Sequence, residues 1–340
     1  MFKIIQPEQT EQWDAFVSAH PRGSIFHTRA MVRTFRHTRG YEPLAIAAVD
    51  DAGQIRALLV AARIQTLPGW ASQFASRSVF FAEPICDSTD DGQAALKQLL
   101  QYHDQEVGRR TLFAEVRAQW APDAEQHVLE TQEYQFQEYL NYLVPLTSDT
   151  DTLWNNLQKS CRQKIRRSLR RGVEVRLETD ANAVDRLYGL LKISYGRSRV
   201  PLADVSLFQA AWRELRQGQV QIRTVYHDGR AVAAGIVLID HRVMYAWYGG
   251  AERVKGIAPF DCLTWSEIEA AAEQGLTLYD FGGAGWPDEN YGPREFKAKF
   301  GGRLVQYGRY RRVYSPWRVA AAKTAYSAAR GILSPSTSSQ

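Results

Sequence analysis

The stretch of residues 173–281 most constrains the fold, because its hydrophobic spacing changes between strand and helix periodicity in a definite order. An alternating strand pattern over residues 173–177 precedes helical patterns over residues 184–195 and 207–215. Three predicted strands follow, joined by tight turns at Asp228-Gly229 and His241-Arg242. A predicted helix over residues 259–274, begun by a proline, then leads to a strand over residues 276–281. This order indicates a mixed α/β unit.

The first half of the chain shows nearly the same order of elements. Predicted strands and helices before residue 147 are strands 3–5, 43–49, 55–65, 79–82, 112–116 and 139–144 and helices 11–19, 28–39, 91–107 and 122–134. We therefore predict an α/β (α+β) chain of two tandem units with mixed central sheets flanked by helices. The first unit would span residues 1–146, completed by residues 315–333, and the second residues 147–314, closed by a strand over 304–314. Residues 334–340, rich in Ser and Pro, predict a disordered tail.

The composition of the chain excludes several classes of protein. With 45% hydrophobic and 23% charged residues, the 340-residue chain is globular rather than disordered or fibrous. Its three cysteines do not make a disulfide framework, which favours a reducing cytoplasm. No stretch reaches the roughly 18 apolar residues of a membrane span. The seven histidines show no metal-ligand spacing, so we expect no metal.

A short turn between the third hairpin strand and the helix at residue 259 is a candidate anion site. It reads Arg253-Val-Lys255-Gly256-Ile-Ala258. Free backbone N–H groups and the positive end of the helix would face an anion there, and the glycine would let a phosphate approach the backbone. The alternative is a solvated turn that happens to carry two basic residues.

The turn, set in this order of elements, resembles the GNAT acyltransferase fold, in which it binds the pyrophosphate of acyl-CoA. Two such units in tandem resemble more narrowly the FemABX family of peptidoglycan bridge aminoacyltransferases and its relatives with a BioF2-like acetyltransferase domain. The segments that carry the resemblance are Lys164-Ile-Arg-Arg167 leading to Gly172-Val-Glu-Val175, Tyr248-Gly-Gly250, Tyr279-Asp-Phe-Gly-Gly283 and Glu295-Phe-Lys-Ala-Lys-Phe-Gly301. The resemblance covers residues 150–314. Over residues 1–145 it rests on element order and on Ile25-Phe-His-Thr28.

Asp280-Phe281-Gly282 matches the magnesium-binding motif of kinases, but the partner motifs of a kinase are missing. Val243 follows His241-Arg242 where a kinase has its catalytic aspartate, and no glycine-rich loop precedes it. We expect Asp280 near the carboxyl end of a strand. There it either orients an acceptor amine or an arginine such as Arg253, or bonds to its own loop.

The family resemblance implies roles for several residues. Phe296 and Lys297 match a pair that acts at the reacting carbonyl, with Lys297 stabilising an oxyanion or an acceptor phosphate; the alternative is an amphipathic turn with solvated lysines. Arg197 matches a position that holds a phosphate-bearing acceptor. The catalytic candidates are therefore Lys297, Phe296 and Asp280, and the acceptor-binding candidates are Arg197, Tyr248, Tyr291 and Arg36, with Trp286 near the same groove.

The net charge of +5 is concentrated in one predicted helix, over residues 151–171. Its basic residues opposite the apolar stripe are Arg162, Lys164, Arg166, Arg167, Arg170 and Arg171. Like charges one helical turn apart repel by about 0.2–0.5 kcal/mol per pair, so the cluster costs helix stability unless an anion compensates it. Such charge runs are usually solvated faces, and we favour an anionic partner here because the rest of the chain is close to neutral. That partner is left open between tRNA phosphate, a CoA 3′-phosphate, an anionic membrane surface and the pyrophosphate of a lipid-linked acceptor.

The leading hypothesis is an N-acyltransferase that moves an aminoacyl group from aminoacyl-tRNA to an amine of a peptidoglycan precursor, with no tightly bound cofactor. One alternative is an acyl-CoA-dependent GNAT N-acyltransferase acting on a lipid, sugar or exopolysaccharide precursor. Another is a nucleic-acid- or membrane-binding scaffold with a degenerate site. Longer FemABX members insert a helical arm for which residues 195–207 leave no room. We expect a cytoplasmic protein, with peripheral contact at the inner face of the membrane as an alternative.

Overall fold

A computed structural model describes residues 2–65, 76–122, 124–198, 200–322 and 324 of the protein. Within these ranges the chain forms two compact units. The first takes its described residues from 1–36, 40–137 and 308–340, and the second from 37–39 and 138–307. The expected tail at 334–340, and most of the segment from 323 to 333, lie outside the described residues.

The first unit is built on an eight-stranded sheet in the order β1-β2-β3-β4-β6-β15-β7, with β5 paired to β3. Its strands are β1 (Lys3–Ile5), β2 (Tyr41–Val49), β3 (Ile55–Gln65), β4 (Ser76–Phe80), β5 (Ile85–Cys86), β6 (Phe113–Arg117), β7 (Gln135–Gln137) and β15 (Arg309–Val313). Its helices are α1 (Gln12–Ala19), α2 (Arg29–Arg36), α3 (Asp90–Val107) and α4 (Ala124–Thr131). Thr89 is the N-cap of helix α3, and its Oγ1 accepts the N–H of Gly92 at 3.1 Å.

The second unit is built on a seven-stranded sheet in the order β14-β8-β13-β12-β11-β10-β9. Its strands are β8 (Leu140–Pro145), β9 (Glu174–Glu178), β10 (Val220–His227), β11 (Arg230–Asp240), β12 (Val243–Ala251), β13 (Leu278–Gly283) and β14 (Arg303–Gln306). Its helices are α5 (Thr150–Asn156), α6 (Lys159–Arg170), α7 (Ala183–Ser198), α8 (Val205–Glu214), α9 (Pro259–Glu273) and α10 (Gly292–Lys297). Asp228 and Gly229 both have positive φ, as the two-residue β10–β11 turn requires.

The predicted fold class is confirmed, since both units are mixed sheets flanked by helices. In each sheet four strands lie side by side in chain order, β1 to β4 in the first and β9 to β12 in the second. The next neighbour is β6 in the first sheet and β13 in the second. In each, one neighbouring pair is parallel, β4 with β6 and β12 with β13, and a long helix connects the two strands of that pair. The pairs around them are antiparallel.

Two strands pair in a different sheet from the one we expected. The strand predicted over 139–144 is β8, and it lies in the second sheet between β13 and β14. The single strand predicted over 304–314 is divided, because Gly308 turns the chain with a φ of 80° between β14 in the second sheet and β15 in the first. An alternating pattern predicts a strand but not its partner, which is set by contacts far along the chain.

The basic helix is also divided, into α5 and α6. The chain bends at Gln158, whose N–H bonds to the carbonyl of Lys299 at 2.9 Å. Neither proline nor glycine marks this break, so helical spacing alone predicted one continuous helix. The buried residues of α6, Cys161, Ile165 and Ser168, face the core and direct its basic residues outward.

Candidate functional site

The centre of the candidate site is a separation of two parallel strands in the second unit. β12 and β13 pair over three positions only, from Val243 opposite Leu278 to Tyr245 opposite Asp280. Beyond these positions β12 goes on pairing with β11 on its other side. β13 goes on pairing with β8, and the register of that pairing shifts between Asp280 and Gly283. We call this opening at the carboxyl ends of β12 and β13 the fork. Open α/β sheets bind ligands at such carboxyl ends.

Lys297, the last residue of α10, reaches the shifted part of β13. Its Nζ donates to the carbonyl oxygens of Phe281 at 2.8 Å and Gly283 at 2.6 Å. Burial lowers the pKa of this ammonium to about 8, although the charge of Asp280 acts in the opposite direction. Lys297 is therefore not a solvated lysine. Near neutral pH it is a cation, but it loses its proton at a lower pH than an ordinary lysine.

Asp280 is a buried carboxyl group next to this lysine. Burial raises its pKa to about 6, partly offset by the N–H of Gly282 and by the charge of Lys297. Its Oδ1 accepts the Gly282 N–H at 2.6 Å, so the hydrogen bond it makes is to its own loop rather than to Arg253. Lys297 and Asp280 thus form a pair of titratable groups, both shifted toward their neutral forms by burial.

Phe296 supports the lysine through ring contacts. Its ring lies 5.2 Å from that of Phe260 in the first turn of α9 and 5.3 Å from that of Phe300. Arg294, which sequence reasoning missed, donates to the carbonyls of Ala284 and Pro287 at 2.8 and 3.2 Å and also to that of Trp286. These ring contacts and hydrogen bonds hold α10 and the preceding loop in place, and Lys297 with them.

The predicted anion-binding turn lies directly before α9. Gly256 has a φ of 87°, a conformation that favours glycine, and Arg253 and Lys255 are exposed. The N–H of Ala258, expected to face an anion, instead donates to the Oγ of Ser168 on α6 at 2.9 Å. The turn is therefore tied to the basic helix.

The six basic residues of the predicted anion surface have different surroundings. Arg162 donates to the carbonyls at the end of α5, including Asn155 at 2.6 Å, and the guanidinium of Arg166 lies 5.3 Å from the ring centroid of Trp154. Lys164, Arg167, Arg170 and Arg171 are exposed, and within the described part of the chain none of the four forms an ion pair. These four side chains are the unneutralised charge of the cluster.

The predicted acceptor residues of the second unit gather around the end of β12. The ring of Tyr248 lies 6.1 Å from that of Tyr195 on α7. The pKa of Tyr195 is raised by burial and then by neighbouring Tyr248 and Tyr291, so the three phenols are close together. Arg197 donates to the carbonyl of Ala251, the last residue of β12, at 3.1 Å. Sequence reasoning missed Tyr195, because only its tertiary contacts reveal it.

Two further candidates are engaged elsewhere. Arg36 lies on α2 in the first unit, where its Nη2 pairs with Glu8 Oε1 at 2.7 Å. Trp286 is 41% exposed, and its ring meets that of Tyr139 edge-on at 5.0 Å. Of the acceptor set, the structure thus brings Tyr248, Tyr291 and Arg197 together within one unit.

The corresponding position in the first unit is filled. β4 and β6 pair in parallel over Ser78–Phe80, and the chain after β4 leads to the buried Glu83. The carboxylate of Glu83 accepts the N–H groups of Gln119 and Trp120, at 2.9 and 3.1 Å, beyond the end of β6. Burial raises the pKa of Glu83 to about 7. One carboxylate therefore joins the two strand ends where the second unit has its fork.

Across the residues that the structure describes, no group of three or more His, Cys, Asp and Glu side chains could hold a metal ion. No helix in that part of the chain is long and apolar enough to cross a membrane.

Comparison with known proteins defines the class. Residues 155–297, which contain the fork, the turn and Lys297, match the family model of an acetyltransferase (GNAT) domain. The chain therefore contains a GNAT domain, and its class is that of an acyltransferase. No curated protein matches the chain.

Solved structures extend the similarity to both units. FemX is 17% identical, with a TM-score of 0.68 over 92% of this chain and 97% of that one. L-PGS from Bacillus licheniformis is 15% identical, with a TM-score of 0.58 over 94% and 96%. A tandem GNAT protein from the clavulanic acid biosynthesis pathway is 10% identical, with a TM-score of 0.57 over 93% and 99%. The chain therefore has a FemX-like tandem GNAT fold, as the sequence resemblance implied.

Proposed function

We propose that the protein forms an amide bond by transferring an aminoacyl group from aminoacyl-tRNA to an amine of a peptidoglycan precursor. The observation that carries the proposal is the position of Lys297, whose ammonium is fixed by two backbone carbonyls at the fork beside buried Asp280. Burial of both charges would be costly for a residue pair without a role. The same arrangement argues against a scaffold with a degenerate site.

The chemistry needs few side chains. The neutral acceptor amine attacks the ester carbonyl of the donor, a C–N bond forms, the C–O bond to the tRNA ribose breaks, and a proton moves from the amine to the leaving oxygen. An ammonium has three N–H donors, and two of those on Lys297 are used by Phe281 and Gly283. The third can donate to the oxyanion that develops on the reacting carbonyl.

The donor is assigned to the second unit for two reasons. The fork of that unit is open, whereas Glu83 fills the corresponding place in the first unit. The exposed cations of α6, together with Arg253 and Lys255, supply positive charge beside the fork's helix α9 for a phosphate-bearing donor. The described residues between α7 and α8, 200–204, form no helical arm, so this basic surface would hold the tRNA.

The acceptor side rests on the tyrosine cluster and on similarity. Tyr195, Tyr248 and Tyr291 offer hydroxyl groups and aromatic faces near Arg197. The FemX-like fold and the FemABX-like motifs support a cell-wall precursor as the acceptor. Such a precursor would be met in the cytoplasm or at the inner face of the membrane.

A second candidate is acyl-CoA-dependent N-acyl transfer to a lipid, sugar or exopolysaccharide precursor. The specific observation in its favour is the Arg253–Ala258 turn before α9, within a segment that matches the GNAT domain model. Both candidates place the donor at the same turn and use Lys297 in the same way, and they differ in the group that carries the acyl chain.

A donor screen separates the two candidates. The purified chain is given one panel of amines with either charged tRNA or acyl-CoA, and the products are read by mass spectrometry. Amide products from charged tRNA support the proposal. Products from acyl-CoA alone, with release of free thiol, contradict a tRNA donor, and no amide from either donor contradicts acyl transfer by this chain.

A further inference from the structure

One face of the first sheet carries an unbalanced group of arginines. Oγ of Ser78 on β4 and Nε2 of His103 on α3 share a hydrogen bond of 2.8 Å, so the residues that alternate with Ser78 face away from that helix. The strand register places four arginines and one glutamate on this second face of β4, β6 and β15: Arg77, Arg117, Arg309, Arg311 and Glu115. We call these five residues the arginine face.

The carboxylate of the arginine face is already shared by two of its arginines. Oε1 of Glu115 accepts Nε of Arg117 at 3.2 Å and Nη1 of Arg309 at 3.1 Å. Arg117 and Arg309 lie directly opposite each other on β6 and β15, where like charges destabilise a sheet. Glu115 therefore compensates this pair of arginines.

Arg311 and Arg77 are the uncompensated charges of the arginine face. The guanidinium carbon of Arg311 lies 3.6 Å from the ring centroid of Phe113, and its Nε is buried without a hydrogen-bond partner. Among the described residues, neither Arg311 nor Arg77 forms an ion pair. The pKa of Arg311 is lowered by burial and further by the charges of Arg77 and Arg309, while Glu115 acts in the opposite direction. A buried donor without a partner beside two unpaired cations is a place for an anion.

The two uncompensated arginines flank one aromatic ring. Phe113 lies beside Arg77 in the parallel pairing of β6 with β4, and Arg311 reaches the same ring from β15. With one strand between them and an offset of two residues, their Cα atoms are roughly 12 Å apart, a distance from which two long side chains can meet at one ligand. Residues 66–75, between β3 and β4, contain no Asp or Glu to supply a counter-charge.

We propose that the arginine face is a ligand site of the first unit, and that Arg311 and Arg77 bind a diphosphate group there. Four arginines and one glutamate leave a net charge of +3, which a diphosphate balances better than a single carboxylate does. A guanidinium offers two parallel N–H groups to phosphate oxygens, and the ring of Phe113 holds that of Arg311 in place.

The size of the ligand follows from the exposure of the arginine face. The side chains of Arg309 and Glu115 are only 20% and 13% exposed, which fits a compact molecule better than a nucleic-acid helix. The diphosphate is therefore either free or part of a nucleoside diphosphate. The inference goes beyond the proposed function, because this site lies in the first unit and its occupancy needs no reaction at the fork.

The test is calorimetric binding of two probes, inorganic pyrophosphate and adenosine diphosphate, to the full chain. Arg253→Ala/Lys255→Ala is the starting protein, so that the exposed cations of the turn before α9 do not contribute. In that background we expect Arg311→Ala and Arg77→Ala each to weaken binding about tenfold, as loss of a charge-assisted hydrogen bond does. Arg311→Lys should fall between Arg311→Ala and the starting protein, because an ammonium lacks the parallel N–H pair.

Lys97→Ala is the matched control. Lys97 is exposed on α3, on the opposite side of the sheet, so its loss removes one positive charge from the same unit but not from the arginine face. Binding by Lys97→Ala should stay within about twofold of the starting protein. Equal weakening in Lys97→Ala and Arg77→Ala would overturn the inference, because the effect would then be one of overall charge.

Thermal unfolding separates binding from a structural role. Arg77 is exposed, so Arg77→Ala should fold even if loss of the contact with Phe113 unfolds Arg311→Ala. Without a probe, Arg77→Ala should unfold at the same temperature as the parent or higher, since it removes a repelling charge. Pyrophosphate should raise the unfolding temperature of the parent more than that of Arg77→Ala. A lower unfolding temperature in Arg77→Ala, with an unchanged response to pyrophosphate, would assign Arg77 a structural role instead.

The two probes identify the source of the diphosphate. Equal affinity for both assigns the diphosphate group alone as the ligand, and tighter binding of adenosine diphosphate shows that a nucleoside contributes. Absence of binding by either probe, or unchanged binding in both arginine variants, would overturn the inference. Absence of amide formation by the parent would contradict only the proposed function, because binding at the arginine face is measured without turnover.

Discussion

Lys297 donates a hydrogen bond to the backbone carbonyl of Phe281, with 2.8 Å between Nζ and O. That carbonyl lies where the pairing of β13 with β8 shifts, and Gly282, the next residue, has a φ of 67°. The irregularity in the strand therefore creates the acceptor that fixes the ammonium. A regular ladder would direct its carbonyls to neighbouring strands.

The pKa of Lys297 predicts a loss of activity at high pH. Its pKa is lowered to about 8, so the ammonium loses its proton as pH rises through that value. An acceptor amine becomes more reactive with rising pH and cannot cause a fall. We therefore expect kcat/KM for the acceptor amine, measured with saturating donor from pH 6 to pH 10, to decline above about pH 8. A profile that keeps rising to pH 10 would show that the charge of Lys297 is not needed.

The charge of Asp280 should control the position of that decline. Its attraction opposes the effect of burial on Lys297, so removing it should lower the pKa of the lysine further. We expect Asp280→Asn to move the falling limb of the profile to lower pH, while the amide oxygen still accepts the Gly282 N–H. An unmoved limb in a folded variant would exclude electrostatic coupling between the two side chains.

A buried carboxyl group outside the catalytic pair predicts how stability changes with pH. Glu267 on α9 is 5% exposed, and its Oε2 accepts the hydroxyl of Tyr279 at 2.5 Å. Burial raises its pKa from 4.5 to about 7. The folded state therefore holds this proton to higher pH than the unfolded state, and stability falls as pH rises from about 4.5 to 7.

Glu267→Gln should reduce this fall, because glutamine stays neutral and can still accept from Tyr279. From pH 4 to pH 8, the free energy of unfolding of the variant should rise by roughly 3 kcal/mol relative to that of the parent. Urea denaturation at the two values measures it. Glu273→Gln, exposed on the same helix, is the matched control and should leave the pH dependence of the parent unchanged. Parallel curves for parent and Glu267→Gln would mean that Glu267 titrates normally.

Local pattern was sufficient for much of the fold. The β10–β11 hairpin follows from Asp228-Gly229, and α9 begins at the proline that predicted it. The family resemblance also led to Lys297 and Phe296. These features depend on neighbouring residues or on a short motif, and sequence displays both directly.

Features set by distant residues were missed. The partners of β8 and β15, the break at Gln158 and the contact between Arg171 and Gly256 each join segments far apart in the chain. The shifted pKa values of Lys297 and Asp280 depend on burial, which follows only from the packing around the fork. No spacing rule within one segment reports such contacts.

The most direct test of the account is amide formation by Lys297→Ala with whichever donor the screen identifies. Lys299→Ala is the matched control, since that lysine lies two residues away with its Nζ over the ring of Phe296. We expect Lys297→Ala to lose at least about a hundredfold in kcat, as loss of an oxyanion donor does, with an unchanged unfolding temperature. Lys299→Ala should stay within about threefold of the parent. Turnover by Lys297→Ala within about threefold of the parent would contradict the account.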